Sequence, residues 1–436
     1  MLNMRIHPAT FLAGTVRLPG DKSISHRAAM IAAIAEGTSR IGNFASSADC
    51  SSTVSCLEKL GVDIARDQSE LIVNGVGKLG LRASHEPLDC GNSGTTMRLI
   101  SGILAGQDFS STLVGDSSLQ KRPMKRIIAP LTEMGASVRS SDGTAPLTIE
   151  GIHPLRAIEY QPPVASAQIK SCVLLAGLYA RGETSIIETV QTRDHTERML
   201  EWFGTTVKKE WDQNGTKITV SGDASLSARD FSVPGDISAA AFFLVAASCL
   251  NRSDLIMPNV GMNPSRMAVV KVLQDLGANV EISEFAEVCN EPVATIRVLG
   301  GLDSSDDGAT PVIHGDTIAN LVDEIPILAI LGTQLGHGIE VRDASELRVK
   351  ESDRISAVVE NLKKMGAAVT EFADGFKVKR SNLKGATIDS FGDHRIAMAF
   401  GVAGLLAEGE TEIMEADCAD VSFPGFFTTL AAVVRR

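Results

Sequence analysis

The sequence predicts an α/β protein of two similar domains, each made of three repeated α/β units with buried helices inside and strands outside. Three patterns lead to this reading. One phrase, Leu-x-x-apolar-Gly-x-x-apolar, recurs along the chain, a second phrase of small residues, a turn and an alternating strand occurs six times, and apolar helical segments separate them.

The first phrase reads LEKLGVDI from Leu57, LTEMGASV from Leu131, LEWFGTTV from Leu200, LQDLGANV from Leu273 and LKKMGAAV from Leu362. Its glycines, Gly61, Gly135, Gly204, Gly277 and Gly366, lie 74, 69, 73 and 89 residues apart, too regular for chance and too long for a solenoid unit. A glycine here ends a helix in left-handed backbone, so each copy predicts a helix followed directly by a strand. The sixth copy is degraded to FTTLAAVVRR.

The second phrase reads AEGTSRIGNF, AGQDFSSTLV, ARGETSIIET, CLNRSDLIMP, LGHGIEVRDA and AEGETEIMEA, which implies six units, three per domain. Segments such as RAAMIAAIA, SCVLLAGLYA, AAAFFLVAASCL, IPILAILG and RIAMAFGVAGLLA are apolar nearly all round, the mark of helices packed inside a domain rather than on its surface. The polar stretch SGDASLSARD followed by FSVPG places a boundary near 231–235. Residues 21–231 are therefore expected to form the N-terminal domain, and 1–20 with 232–436 the C-terminal one, the opening segment crossing over after LPG.

Composition narrows the function. A chain of 436 residues with 44% hydrophobic and 22% charged residues has the make-up of a folded protein of two domains. A net charge of -12 argues against nucleic acid or an anionic membrane as the main partner, since both need a basic face. Seven cysteines without a CxxC pair point away from a disulfide framework or a zinc site and toward a reducing cytoplasm. The opening segment lacks the apolar core of a secretory signal, and the most apolar stretch, 239–250, is far shorter than the ~20 residues of a membrane helix.

Polar clusters, mostly cationic, stand where the buried helices are expected to begin. PGDKSISHRA carries Lys22, Ser23 and Arg27; with the free amides and positive dipole end of a helix they make an anion site, although a plain serine cap with solvated charges would use the same residues. In CGNSGTTMRL, with Asn92, Thr95 and Arg98, Gly94 would admit a phosphate or carboxylate close to the backbone, and a tight turn needs the same glycine. DSSLQKRPMKR sets Lys121, Arg122, Lys125 and Arg126 around a proline. Such a run usually reads as a solvated face, yet the fixed backbone aims Arg122 in particular.

ASAQIKS offers Ser166 and Gln168, and QTRDHTER adds Arg193. LVDEIP opens an apolar helix with Asp323 and Glu324, where a carboxylate serves as a dipole partner or as a base. RVKESDR places Glu351 between Lys350 and Arg354, a proton carrier flanked by cations, and FGDHRIAM begins a further buried helix with His394 and Arg395. Cations at several helix starts, two carboxylates and no metal-binding cluster suit two anionic reactants and catalysis by positioning, charge stabilisation and proton transfer.

Through DKSISHR, GNSGTTMR, KRPM, SAQ, VDEIP, KESDR and GDHR the chain resembles the enolpyruvyl transferase family over essentially its whole length, and within it the branch whose acceptor is shikimate 3-phosphate. The resemblance implies two inside-out α/β barrel domains with the active site in the cleft they close over. It implies shikimate 3-phosphate and phosphoenolpyruvate as substrates, no metal or organic cofactor, and a cytoplasmic monomer of the shikimate pathway. By the same resemblance Lys22, Ser23, Arg27, Ser166, Gln168, Arg193, Asp323 and Lys350 would hold shikimate 3-phosphate, and Lys22, Gly94, Arg122, Gln168, Arg354 and Arg395 phosphoenolpyruvate. Asp323 would take the proton of the attacking 5-hydroxyl, and Glu351, near Lys22, would protonate the methylene carbon. Addition would give a tetrahedral ketal, and loss of phosphate the enolpyruvyl ether.

The chain departs from the family pattern in places. Val421 in VSFPGF stands where many members carry a lysine, and Leu99 where many carry a proline. With KRPM, SAQ and RDHTE these residues resemble the subgroup tolerant of the herbicide glyphosate, while Gly94 stands where tolerant members often have alanine. The sister branch acting on UDP-N-acetylglucosamine has a cysteine five residues before the loop arginine, where this chain has Ser117, and a Lys-Asn pair where it has Lys22-Ser23. A non-catalytic phosphate-ligand binding protein on the same repeats would keep the cations but has no use for Asp323 and Glu351 together.

Overall fold

The structure, a computed structural model, describes residues 2–67, 70–213, 215–302 and 308–436. The chain divides into two compact units, the first made of Gly20–Val233 with Glu287–Glu291, the second of Met1–Pro19, Pro234–Ala286 and Pro292–Arg436. Both are mixed α/β, and each has its own apolar core.

In the first unit the helices are α1 (Lys22–Ile34), α2 (Ala48–Lys59), α3 (Gly94–Ala105), α4 (Lys125–Glu133), α5 (Ala167–Gly177) and α6 (His195–Trp202). The odd-numbered ones are the apolar segments, and almost every residue of α1, α3 and α5 past its first turn is buried. Each starts on a polar cap: Asp21 accepts from the amide of Ile24, Ser93 from Thr96 and Ser166 from Ile169, which satisfies amides that the first turn leaves without partners. The even-numbered helices end at Gly61, Gly135 and Gly204, with φ of 89°, 106° and 96°, a conformation that costs glycine nothing and other residues a steric penalty.

After each of these glycines comes a strand, Asp63–Asp67, Ser137–Ser141 or Lys208–Asp212, which forms an antiparallel hairpin with Glu70–Val76, Thr144–Glu150 or Gly215–Ser221. The second member of each hairpin pairs antiparallel with the strand of the second phrase, Glu36–Gly42, Ser110–Val114 or Glu183–Glu188. A short parallel strand (Phe231–Ser232, Leu88–Asp89, Glu159–Tyr160) completes each four-stranded sheet. Burial alternates along the central strands, as at Leu71 and Val73 or Leu147 and Ile149, so one face of each sheet joins the core that contains α1, α3 and α5.

The second unit holds α7 (Ile237–Cys249), α8 (Ala268–Asp275), α9 (Asp316–Leu321), α10 (Ile325–Gly332), α11 (Arg354–Lys364), α12 (His394–Leu406) and α13 (Phe426–Val433). Here α7, α10 and α12 are the buried members, and α8 and α11 end at Gly277 and Gly366 with φ of 86° and 79°. The degraded sixth copy keeps its order without the glycine: α13 runs straight into Val434–Arg435, which pairs antiparallel with Phe11–Thr15. Phe11–Thr15 also lies parallel to Asp254–Gly261, which ties the opening segment into this unit. The remaining strands of the second phrase, Ile339–Val341 and Thr411–Met414, lie in sheets too.

Residues Glu287–Glu291 belong with the first unit although the strands that flank them, Asn279–Val288 and Glu291–Leu299, run mostly in the second. Cys289 and Asn290 have φ of 52° and 63°, the signature of a tight two-residue hairpin turn. The turn is held by α6: Asn290 Nδ2 donates to the carbonyl of Arg198 at 2.9 Å, Arg198 Nη1 to the carbonyl of Asn290 at 3.1 Å, and His195 Nδ1 meets Glu291 Oε1 at 2.7 Å.

Candidate active site

The expected residues are divided between the two units. In the first unit Lys22, Ser23, Gly94, Ser166 and Gln168 sit at the starts of α1, α3 and α5, where the packed apolar bodies of these helices hold the polar first turns in place. Arg27 lies a turn further along α1, and Arg122 and Arg193 lie in the segments that precede α4 and α6. Lys22 is the first residue of α1, and its Nζ lies 2.9 Å from Oδ2 of Asp49 on α2. Arg27, one turn further in, is buried: Nε donates to Thr196 Oγ1, Nη2 to Ser171 Oγ and Nη1 to the carbonyl of Ser23, each at 2.8 Å. Burial, with the second cation Arg193 behind it, pulls the pKa of Arg27 down to about 10. Arg193 Nη1 reaches Ser23 Oγ at 3.4 Å, so Arg27 and Arg193 both reach Ser23, and Ser166 is the cap of α5.

Gly94 is the first residue of α3. A Cβ placed there would lie 2.7 Å from Arg98 Nη1, too close to be accommodated without a shift, and 3.6 Å from Arg122 Nη1, an ordinary contact, so the missing side chain makes room for the Arg98 guanidinium beside the free amides of the helix end. Arg98 is held by Gln168, whose Oε1 accepts from Nη1 at 2.6 Å, and by the carbonyl of Pro123 at 3.2 Å. Gln168 Nε2 donates in turn to Thr95 Oγ1 at 3.0 Å. Arg122 is the buried cation of its run, bonded to Asn92 Oδ1 at 2.7 Å and to the Asn92 carbonyl at 3.2 Å. Lys121 and Lys125 are exposed and Arg126 is half-buried.

Beneath α5 lies a buried charge group that sequence reasoning did not anticipate. Lys170 Nζ stands 2.8 Å from Glu188 Oε2 and 2.7 Å from Glu197 Oε1. Burial works against the lysine charge, but Glu197 and Glu188 outweigh it and raise its pKa.

In the second unit one guanidinium gathers three carboxylates. Arg354, the first residue of α11, is 1% exposed. Its Nε donates to Asp393 Oδ2 at 2.8 Å, its Nη2 to Glu351 Oε2 at 2.7 Å and its Nη1 to Asp323 Oδ1 at 3.4 Å. Burial opposes its charge, yet Asp393, Glu351 and Asp323 together push its pKa above the ordinary arginine value. The two carboxylates expected to move protons are thus bound to one cation.

Arg395, also buried, begins α12 over the ring of Phe242, 6.0 Å from guanidinium carbon to ring centroid. Lys350 lies outside the hydrogen bonds of the Arg354 group and pairs with Glu346 at 2.9 Å. Glu324, next to Asp323, is buried and directed to Ser238 and Arg266. Lys22 belongs to the first unit and Glu351 to the second.

Sequence reasoning missed Asp49 and Asp393, and named Arg98 in its cluster without giving it a substrate. Asp393 carried a legible signal, since an aspartate immediately before a buried helix is a helix-cap residue; its bond to Arg354, 39 positions away, carried none.

The family EPSP synthase (3-phosphoshikimate 1-carboxyvinyltransferase) matches residues 6–430. The 3-phosphoshikimate 1-carboxyvinyltransferase of Koribacter versatilis is 50% identical, with 100% of each chain covered, and that of Solibacter usitatus is 48% identical over 99% of this chain and 100% of its own. Among solved structures, EPSP synthase from Acinetobacter baumannii superimposes with a TM-score of 0.85 at 39% identity, covering 99% of this chain and 98% of that one.

Proposed function

This chain belongs to the EPSP synthase family, and on that premise we propose that it transfers the enolpyruvyl group of phosphoenolpyruvate to the 5-hydroxyl of shikimate 3-phosphate, releasing phosphate, in aromatic amino acid biosynthesis. The observation that carries the chemical part is the attachment of Asp323, Glu351 and Asp393 to Arg354.

The reaction brings together reactants that carry two phosphates and two carboxylates, whose mutual repulsion has to be offset. Ser23, Arg27, Ser166, Gln168, Arg193 and Lys350 hold shikimate 3-phosphate, with Lys22 and Asp323 touching both the acceptor and the reacting atoms. Lys22, Gly94, Arg122, Gln168, Arg354 and Arg395 hold phosphoenolpyruvate; Val421 adds no charge to this set. Arginine suits the task because its planar fork matches phosphate and carboxylate oxygens and stays charged when buried.

Glu351 gives its proton to the methylene carbon, which places positive character on the adjacent carbon. Asp323 takes the proton of the 5-hydroxyl as its oxygen bonds to that carbon, giving the tetrahedral ketal. Glu351, now a carboxylate, takes a proton back from the methyl group as the C–O bond to phosphate breaks, the phosphate leaves with the proton that Asp323 had taken, and the double bond of the enolpyruvyl ether is restored. Fixed charges act on the developing cation and on the leaving phosphate without having to reorganise. Proton transfer and charge placement cover every step, so the chemistry as written calls for no metal or organic cofactor.

The same reading takes each unit as an inside-out α/β barrel of three repeats, residues 21–231 forming one domain and 1–20 with 232–436 the other, and the protein as a cytoplasmic monomer. The sheet order repeated around buried helices supports the architecture. No helix among the described residues is long and apolar enough to cross a membrane. Measuring phosphate released from shikimate 3-phosphate plus phosphoenolpyruvate tests the proposal: release that requires both substrates is expected, and intact binding of each without release overturns it.

A further inference from the structure

A run of four polar side chains lies in the interior of the first unit, and none of them has a part in the chemistry above. His26 on α1, Thr53 on α2, and Thr96 and Ser93 at the start of α3 are each fully buried. They are joined end to end: His26 Nδ1 to Thr53 Oγ1 at 2.6 Å, Thr53 Oγ1 to Thr96 Oγ1 at 2.7 Å, and Thr96 Oγ1 donating to Ser93 Oγ at 2.7 Å.

A hydroxyl has one proton to donate, and this orders the run. The Thr96 proton is directed to Ser93, with the Asp49 carbonyl at 3.5 Å as a weaker second acceptor. Thr53 must therefore donate to Thr96, and with its proton so used it can only accept from His26. The imidazole is then neutral and carries its proton on Nδ1. The opposite direction would put an N-H on Nε2, which is buried with no hydrogen-bond partner among the described residues, and buried N-H groups without acceptors are rare in folded proteins. Burial, with Lys22 and then Arg27 behind it, keeps the ring's pKa well below its ordinary value, in line with a neutral ring.

The ends of the run adjoin the anion-binding groups. His26 lies one turn beyond Lys22 on α1 and directly before Arg27; Ser93 caps α3 and directly precedes Gly94. Asp49, which receives Lys22 Nζ at 2.9 Å, is on α2 one turn before Thr53. We infer that His26, Thr53 and Thr96 are positioning residues, a directed hydrogen-bond run that sets Lys22 against the amide end of α3 at Gly94 so that both can hold one phosphate-bearing reactant. This rests on the reading of Lys22 and Gly94 as phosphoenolpyruvate contacts.

The test uses the full chain with Thr53→Val, which removes the hydroxyl at nearly constant volume, Thr53→Ser, which retains it, and Lys22→Met. Loss of one buried link is expected to raise KM for phosphoenolpyruvate about tenfold in Thr53→Val, with a smaller rise in KM for shikimate 3-phosphate, which Lys22 also holds and Gly94 does not, and Thr53→Ser restoring the parent values. A Thr53→Val protein with a lowered melting temperature but an unchanged KM for phosphoenolpyruvate has lost only packing, and overturns the inference. If Lys22→Met raises that KM and Thr53→Val does not, only the run fails; if Lys22→Met leaves it unchanged, the assignment of Lys22 fails as well. Nitrogen-15 NMR of the histidine-labelled parent gives an independent check that needs no variant: an Nδ1-H tautomer at His26 is expected, and an Nε2-H tautomer reverses the run and overturns the inference.

Discussion

The carboxylate of Asp393 holds two elements at once: Oδ1 accepts the backbone amide of Arg395 at 2.8 Å and so caps α12, while Oδ2 accepts from Nε of Arg354 at 2.8 Å. The charge that starts one helix thereby fixes the cation that starts another. Asp393→Asn keeps the shape but removes the charge opposite a buried guanidinium. Because Glu351 and Asp323 remain, the expected loss is about 2 kcal/mol of stability rather than the larger cost of an unpaired buried ion, with a raised KM for phosphoenolpyruvate. Urea denaturation and steady-state kinetics measure the two effects, and a variant as stable as the parent refutes the shared role.

Asp323 differs from Asp393 in reaching Arg354 only at 3.4 Å and in keeping part of its side chain exposed. Asp323→Ala is expected to lower kcat by about 10²- to 10⁴-fold, the usual contribution of a positioned base. Binding of shikimate 3-phosphate, followed by calorimetry, should largely survive. Unchanged turnover removes Asp323 from the mechanism.

Gly94→Ala places a methyl group 2.7 Å from Arg98 Nη1. The obstructing atom is the end of a flexible side chain, so the helix stays in place and Arg98 gives way, loosening its bond to Gln168. A several-fold rise in KM for phosphoenolpyruvate is expected, with a smaller effect on shikimate 3-phosphate and a melting temperature close to that of the parent. Equal effects on both substrates would contradict the geometry.

Lys170→Met is a prediction about folding. Glu188 and Glu197 are buried on either side of the lysine, so removing the ammonium leaves two carboxylates facing each other without their counter-ion. Breaking a buried pair in this way costs about 3–5 kcal/mol, which urea denaturation at neutral pH will register. A loss below about 1 kcal/mol would show that the group is not a paired buried cluster.

The neutral ring of His26 makes stability depend on pH. In the unfolded chain this histidine titrates near its ordinary value of 6.5; in the folded chain burial, Lys22 and Arg27 hold its pKa well below that, against a smaller opposing effect of Asp21. Between the two values only the unfolded chain binds the proton, so the histidine's contribution is complete above pH 6.5 and falls as pH drops toward the folded value. The slope is about 1.4 kcal/mol per pH unit. His26→Asn should flatten the stability profile of the parent as pH falls below 6.5, by up to that slope, and parallel profiles would count against a neutral buried ring.

Some of the site was legible because its signals are local. The proline loop marked Arg122 among four cations, and polar clusters ahead of apolar runs marked the starts of α1, α3, α5 and α12. Partners were not legible, because the bonds that aim these residues span the chain: Arg27 to Thr196 across 169 positions, Arg98 to Gln168 across 70, Arg354 to Asp393 across 39. Lys170 was not legible either, because its partners Glu188 and Glu197 lie outside its own helix.

The sequence by itself determined where α2, α4, α6, α8 and α11 stop, because a left-handed glycine such as those after Leu57 and Leu362 acts within a few residues. Even the degraded last copy kept its helix-then-strand order. Only the tertiary structure decided that Arg354 would gather Asp323, Glu351 and Asp393, and that Gly94 would leave room for Arg98. The reason is physical: these helix ends follow from backbone conformation along a few residues, whereas the state of a buried charge depends on which distant groups the packed core brings within hydrogen-bond distance of it.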